Sequence, residues 1–140
     1  MLAITLLNVA LVVAAVAIHY EFLMVFARRL AHRRSGRFAV LGGVLAALVA
    51  HALQIWLFAL GYWLTTQMDG LGRLTGNFGG EFLDCLYFSF TTYTTLGYGD
   101  IEPFGPVRFL AGIEALVGLV LITWTASFLF LEMQRHWREP

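Results

Sequence analysis

Three long apolar stretches, residues 2–27, 38–65 and 107–131, set the terms on which this chain can fold. Each exceeds the roughly 20 apolar residues that a helix needs to cover about 30 Å of hydrocarbon. A fourth apolar segment, 81–92, is too short, since a helix rising 1.5 Å per residue would reach only about 18 Å. It enters a bilayer without crossing it. The overall balance agrees: 59% of the 140 residues are hydrophobic and 13% charged, and the mean hydropathy is +0.75. A water-soluble domain carries about twice that share of charge. The chain is expected to be an all-α integral membrane protein with three transmembrane helices and one re-entrant helix with its loop.

The charges then orient it. All nine basic residues are arginine, and five of them, Arg28, Arg29, Arg33, Arg34 and Arg37, fall in one short turn with Ser35 and Gly36. Short arginine-rich loops stay on the cytoplasmic side, so the N-terminus is expected outside and the C-terminus in the cytoplasm. The same turn offers a surface to anionic lipid headgroups. Nothing in this pattern calls for nucleic acid. Residues 2–27 have no basic leader and exceed the apolar core of a secretory signal, so they are expected to remain as the first crossing. Residues 66–80, with five glycines, are expected to form an irregular external loop. Glu81 and Asp84 open the short helix, where carboxylates complement the positive end of its dipole. The lone Cys85 excludes an intrachain disulfide and is expected to be an apolar packing residue.

After that helix comes Thr94-Thr95-Leu96-Gly97-Tyr98-Gly99-Asp100. Two glycines one residue apart provide alternate positions where a positive φ costs little, so successive carbonyls can turn to one side. Non-helical backbone at membrane depth must be buried in protein or line a watery path. The segment from Tyr87 to Asp100 resembles the pore helix and selectivity filter of the bacterial potassium channel pore-domain family. The resemblance covers roughly residues 56–137.

It implies that the Thr95 hydroxyl and carbonyl and the carbonyls of Leu96, Gly97 and Tyr98 form stacked rings that bind dehydrated K+, with Gly99 at the outer mouth. It also implies a homotetramer, because one loop supplies one side of each ring, and permeant K+ with no organic cofactor. The expected division is an extra N-terminal helix and basic turn, 1–37, followed by a pore domain, 38–140. Within the latter lie an outer helix 38–65, external loop 66–80, pore helix 81–92, filter 94–100 and inner helix 107–135. A bacterial inner membrane is the expected location. Between residues 66 and 106 five acids face a single basic residue, Arg73, which favours cations at the mouth.

Three departures from the family pattern bear on filter support. Leu96 lacks the usual β-branch after the filter threonine. Thr91 stands where well-known members carry an acid, and Tyr87 where they carry a tryptophan. The Tyr87 hydroxyl is expected to donate to Asp100. Glu114, well inside the last crossing, is expected to approach the pore-helix threonines in place of the missing acid. Gly118 falls at the family's inner-helix hinge, although close packing explains a membrane glycine equally well. Leu119, Ile122, Thr123 and Ala126 share the expected cavity face.

His19 and Glu21, with His51 and Gln54, are the other polar groups in the crossings, expected to pair between helices. A weakly selective cation channel is the alternative reading. A membrane enzyme or a regulatory subunit using a His19, Glu21 and His51 cluster is weaker, since no spaced motif such as His-Glu-x-x-His accompanies it.

Overall fold

The computed structural model describes the backbone of residues 2–32 and 37–137, and the side chains of 2–28 and 40–134. Arg33 and Arg34 lie outside the described residues, as do the side chains of Arg29 and Arg37. The element order is α1 (Leu2–His32), α2 (Arg37–Thr66), β1 (Arg73–Gly76), α3 (Phe82–Tyr93), β2 (Ile101–Phe104) and α4 (Val107–Trp137). Within α1, α2 and α4, the spans Leu2–Arg28, Val40–Thr66 and Val107–Gln134 are long and apolar enough to cross a membrane. α3 has 12 residues and is not. Helix is what a bilayer demands of such segments, because every backbone N–H and C=O must find its partner within the segment. The fold is all-α and integral to the membrane.

Residues 66–80 are not wholly irregular. β1 pairs antiparallel with β2, in the register Arg73↔Phe104 through Gly76↔Ile101. This ribbon ties the segment before α3 to the segment after it. Leu74 and Ile101 turn inward from it and are buried. Their burial joins the ribbon to the main core, where α1 contributes Ile4, Leu11 and Ala15, α2 Ile55, Phe58 and Tyr62, α3 Cys85, Phe88 and Tyr93, and α4 Val107, Leu110, Val117 and Leu121. Cys85 is indeed a buried free thiol. α1 packs against both α2 and α4, so the N-terminal helix shares one core with the rest of the chain.

Outward faces are apolar too: Val13 is 62% exposed, Leu48 60% and Val49 61%. Such faces suit lipid or another copy and would be costly in water.

α4 runs unbroken through Gly118. A Cβ at that position would run into the main-chain carbonyl of Tyr93, where α3 ends. The glycine therefore allows α4 to press its backbone against the end of α3. Gly42, by contrast, has no neighbouring atom within 4 Å of a built Cβ. Gly118→Ala should destabilise the protein by about 1–3 kcal/mol through overpacking against immovable backbone. Gly42→Ala should be neutral or gain up to about 1 kcal/mol in helix propensity. Thermal unfolding midpoints in detergent would check both, and equal midpoints for the two variants would contradict this packing.

Candidate functional site

α3 is built to stop where it does. Glu81 is its N-cap, and Glu81 and Asp84 form a reciprocal capping box. The Asp84 carboxylate also accepts from Gly79 N–H at 2.8 Å, fixing the approach to the helix. At the other end, Thr94 N–H donates to the Phe90 carbonyl at 3.3 Å and Thr95 N–H to Thr92 at 2.9 Å, closing the last turn. The chain then leaves helix with φ of 58° at Thr95, 52° at Gly97 and 78° at Gly99. Left-handed residues thus alternate with Leu96 and Tyr98, and this alternation lets successive carbonyls face one side. A Cβ at Gly97 or Gly99 would meet nothing within 4 Å, so it is the backbone angle and not space that asks for glycine there. Thr95 achieves the same turn with a β-branched side chain, which costs about 1–3 kcal/mol and must be held from outside.

Several groups hold it. Gly97 N–H donates to the Thr91 carbonyl at 3.0 Å, folding the strip back onto α3. Thr91 acts there through its main chain, since its hydroxyl bonds back to Phe88 at 3.0 Å. At the outer end the Tyr87 hydroxyl donates to Asp100 Oδ2 at 2.9 Å. That bond raises the Tyr87 phenol above its ordinary range, so it remains a donor at neutral pH. Asn77 N–H donates to the Asp100 carbonyl at 2.7 Å. Gly76, at φ 89°, lies so close to that carbonyl that no side chain fits. Leu96 and Tyr98 are 57% and 67% exposed on the single chain.

Behind α3 sits Glu114, fully buried. Its partners differ from the expected threonines. The Tyr62 hydroxyl donates to Oε2, and the Ser89 hydroxyl reaches Oε1. Ser89 also lies 2.8 Å from the Ile55 carbonyl, and its single hydrogen serves one of the two acceptors at a time. Thr91 is two helical positions from Ser89, about 200° around α3, and so faces away from α4. Leu119, Ile122, Thr123 and Ala126 are exposed together on α4.

One further cluster spans all four helices. His51 Nδ1 lies 3.1 Å from Gln54 Oε1 and 2.9 Å from the Tyr93 hydroxyl, and its Nε2 is 3.0 Å from Thr125 Oγ1. Gln54 Nε2 lies 3.2 Å from His19 Nδ1 and donates to the Ala15 carbonyl at 3.4 Å. Tyr93 donates to Gln54 Oε1, and Thr125 Oγ1 is 3.4 Å from His19 Nε2. Glu21 is not a member: it is exposed, two positions past the buried His19 and hence on the far side of α1. Among the described residues no three metal-ligating side chains come together. Tyr93, Thr125, Tyr62 and Ser89 escape a reading of the sequence, since hydroxyls in apolar helices give no spaced signal.

The family described as ion channel matches residues 44–135. A segment of 57 residues, 40% of this chain, is 37% identical to the inward rectifier potassium channel Kirbac3.1 of Paramagnetospirillum magnetotacticum. The match spans 19% of that relative's length. No solved structure matches at a significant level.

Tyr87→Phe removes the donor that braces Asp100 while leaving the ring in place. Amide exchange in residues 95–100 should then quicken about three- to tenfold in hydrogen-exchange mass spectrometry. Unchanged exchange would show that Asn77 and Gly76 hold Asp100 unaided.

Proposed function

Since the chain belongs to the ion channel family, we propose that it conducts K+ selectively through rings of oxygens supplied by four copies. The observation that carries this reading is the alternation of left-handed backbone at Thr95, Gly97 and Gly99. It suits a strip whose carbonyls, at Thr95, Leu96, Gly97 and Tyr98, replace the water shell of a cation, with the Thr95 hydroxyl below and Gly99 at the mouth. One strip makes one side of each ring, and four-fold symmetry completes it. K+ is the cargo. The matched relative is a potassium channel, which supports potassium over other cations.

The remaining features fit the same plan. The C-terminal end of α3 carries partial negative charge and, repeated four times, favours a cation in a central cavity. Leu119, Ile122, Thr123 and Ala126, exposed on the single chain, would line that cavity. Asp69, Glu81, Asp84, Asp100 and Glu102 would raise cation concentration outside. Tyr87, Thr91, Asp100 and Glu114 support the strip. A hinge at Gly118 would have to lift α4 off the Tyr93 carbonyl. The arginine-rich turn lies inside, the N-terminus outside, in a bacterial inner membrane, and the turn meets anionic lipid.

Purified protein in planar bilayers decides the matter. Under a tenfold K+ gradient the reversal potential should approach about 59 mV, the value for one transferred charge. Imposing the same gradient in Na+ should shift it far less. Equal shifts for the two ions would favour the weakly selective channel, and electrical silence a subunit role.

A further inference from the structure

The cluster of His19, His51, Gln54, Tyr93 and Thr125 admits one arrangement of protons, and its direction follows from elementary donor and acceptor counts. The Ala15 carbonyl can only accept, so the Gln54 atom that faces it is the amide nitrogen, with Nε2 toward α1 and Oε1 toward α3. Oε1 only accepts. It takes the Tyr93 hydrogen, so His51 Nδ1, 3.1 Å from the same oxygen and 2.9 Å from the Tyr93 oxygen, must carry a hydrogen as well. In a neutral imidazole the other nitrogen then accepts, and Thr125 donates to His51 Nε2 at 3.0 Å. Thr125 has spent its one hydrogen, so His19 Nε2 donates to it across 3.4 Å. His19 Nδ1 is left as the acceptor for the second Gln54 hydrogen at 3.2 Å. Every donor and every acceptor is used, and the ring closes through α1, α2, α3 and α4.

Tyr93 is the point at which this ring touches the strip. It is the last residue of α3, two positions before the left-handed Thr95, and its carbonyl rests on Gly118 of α4. Its hydroxyl is anchored to Gln54, whose other end is anchored to α1. Resting on the channel reading above, we propose that His19, Gln54, His51 and Thr125 are positioning residues for the strip. They fix Tyr93, and with it the turn into Thr95, so that α1 takes part in keeping the strip in its conducting form.

The same count makes the ring sensitive to acid. A proton on His19 places two donors face to face, Nδ1–H against an amide that Ala15 prevents from turning. A proton on His51 turns Nε2 into a donor and displaces the Thr125 hydrogen. The titratable groups facing the ring are His19 from α1, His51 from α2 and Tyr93 from α3, with Glu114 of α4 acting on Tyr93. The His19 and His51 rings lie 5.4 Å apart, so a second positive charge would repel the first. The ring is whole when both imidazoles are neutral, and acidification opens it.

The test uses the full chain in planar bilayers. His19→Phe should shorten the mean open time about five- to tenfold, the effect of one buried hydrogen bond. His19→Asn offers an oxygen near the place of Nδ1 and should recover most of that loss. Tyr93→Phe should match His19→Phe, and the double variant should add less than about twofold, because both break one chain of contacts. Lowering pH should shorten openings of the wild type and leave Tyr93→Phe unmoved. Additive losses, a His19→Asn as impaired as His19→Phe, or equal acid responses with and without the Tyr93 hydroxyl would overturn the proposal. If His19→Phe does not assemble, His19→Asn, Tyr93→Phe and the wild-type pH profile decide. A wild type without K+-selective current would refute the channel reading alone. Amide protection over residues 93–100, taken relative to the intrinsic exchange rate at each pH, then tests the ring directly: lower protection in Tyr93→Phe and at low pH supports it, and unchanged protection overturns it.

Discussion

Non-helical backbone set among membrane-crossing helices needs partners for its polar groups, and the path from Thr95 to Asp100, which follows a helix too short to cross, is such a backbone. The rest of the chain answers this constraint. Within the strip, two N–H groups, those of Thr95 and Gly97, are tied back to the end of α3. At its outer end, Asp100 is held by a side chain of α3 and by the backbone beside β1. Among the described residues of the single chain, no backbone N–H is donated to the carbonyls of Thr95, Leu96, Gly97 or Tyr98. Strain at Thr95 makes these supports necessary, since a β-branched residue does not keep a φ of 58° by its own preference.

Behind α3 the helices meet at a buried acid of α4. That acid is Glu114, while Thr91 of α3 takes part through its main-chain carbonyl, which holds Gly97 N–H. The buried carboxyl group meets hydroxyls from α2 and α3, so three helices converge on one group. Removing a partner of a buried carboxyl group leaves an unsatisfied polar atom in a low-dielectric interior, the more expensive half of hydrogen-bond energetics. This convergence ties the relative positions of α2, α3 and α4 at the depth of Ser89. The ring of His19, Gln54, His51 and Thr125 does the same at Tyr93, nearer the strip and with α1 included. Two polar clusters, one at Ser89 and one at Tyr93, thus bracket the last turn of α3.

Much of this was legible in the sequence, and the physical reasons for the remainder are specific. Three spans and a helix too short to cross follow from length and hydropathy alone, and the structure has them. The glycines at 97 and 99 announce left-handed backbone; Thr95 does not, because a threonine adopts it only when its surroundings compel it. The ribbon was hidden because β1 and β2 have four residues each and are separated by α3, too short for a periodic pattern and too far apart for a hairpin signal. Glu21 seemed a neighbour of His19 in the sequence, but two positions along a helix lead to the opposite face. Glu114 is legible as an acid within an apolar span. Its partners were not foreseen, because a lone serine and a lone tyrosine in apolar helices carry no pattern that separates them from packing residues.

The place of α1 shows why polar groups matter more in such a fold than their number suggests. Its sequence is apolar almost all round, and lipid is as apolar as leucine, so neither solvent nor core distinguishes one face from another. In water, amphipathicity would fix the rotation of a helix about its axis. Here Ala15 and His19, one turn apart and both fully buried, mark the face turned to α2 and α4. The Ala15 carbonyl and both His19 nitrogens are committed to Gln54 and Thr125. Rotating α1 by one position would carry His19 away from both partners and leave their polar atoms in hydrocarbon. A few hydrogen bonds therefore set a register that apolar packing alone would leave nearly degenerate, and they set it at the level where α3 gives way to the strip.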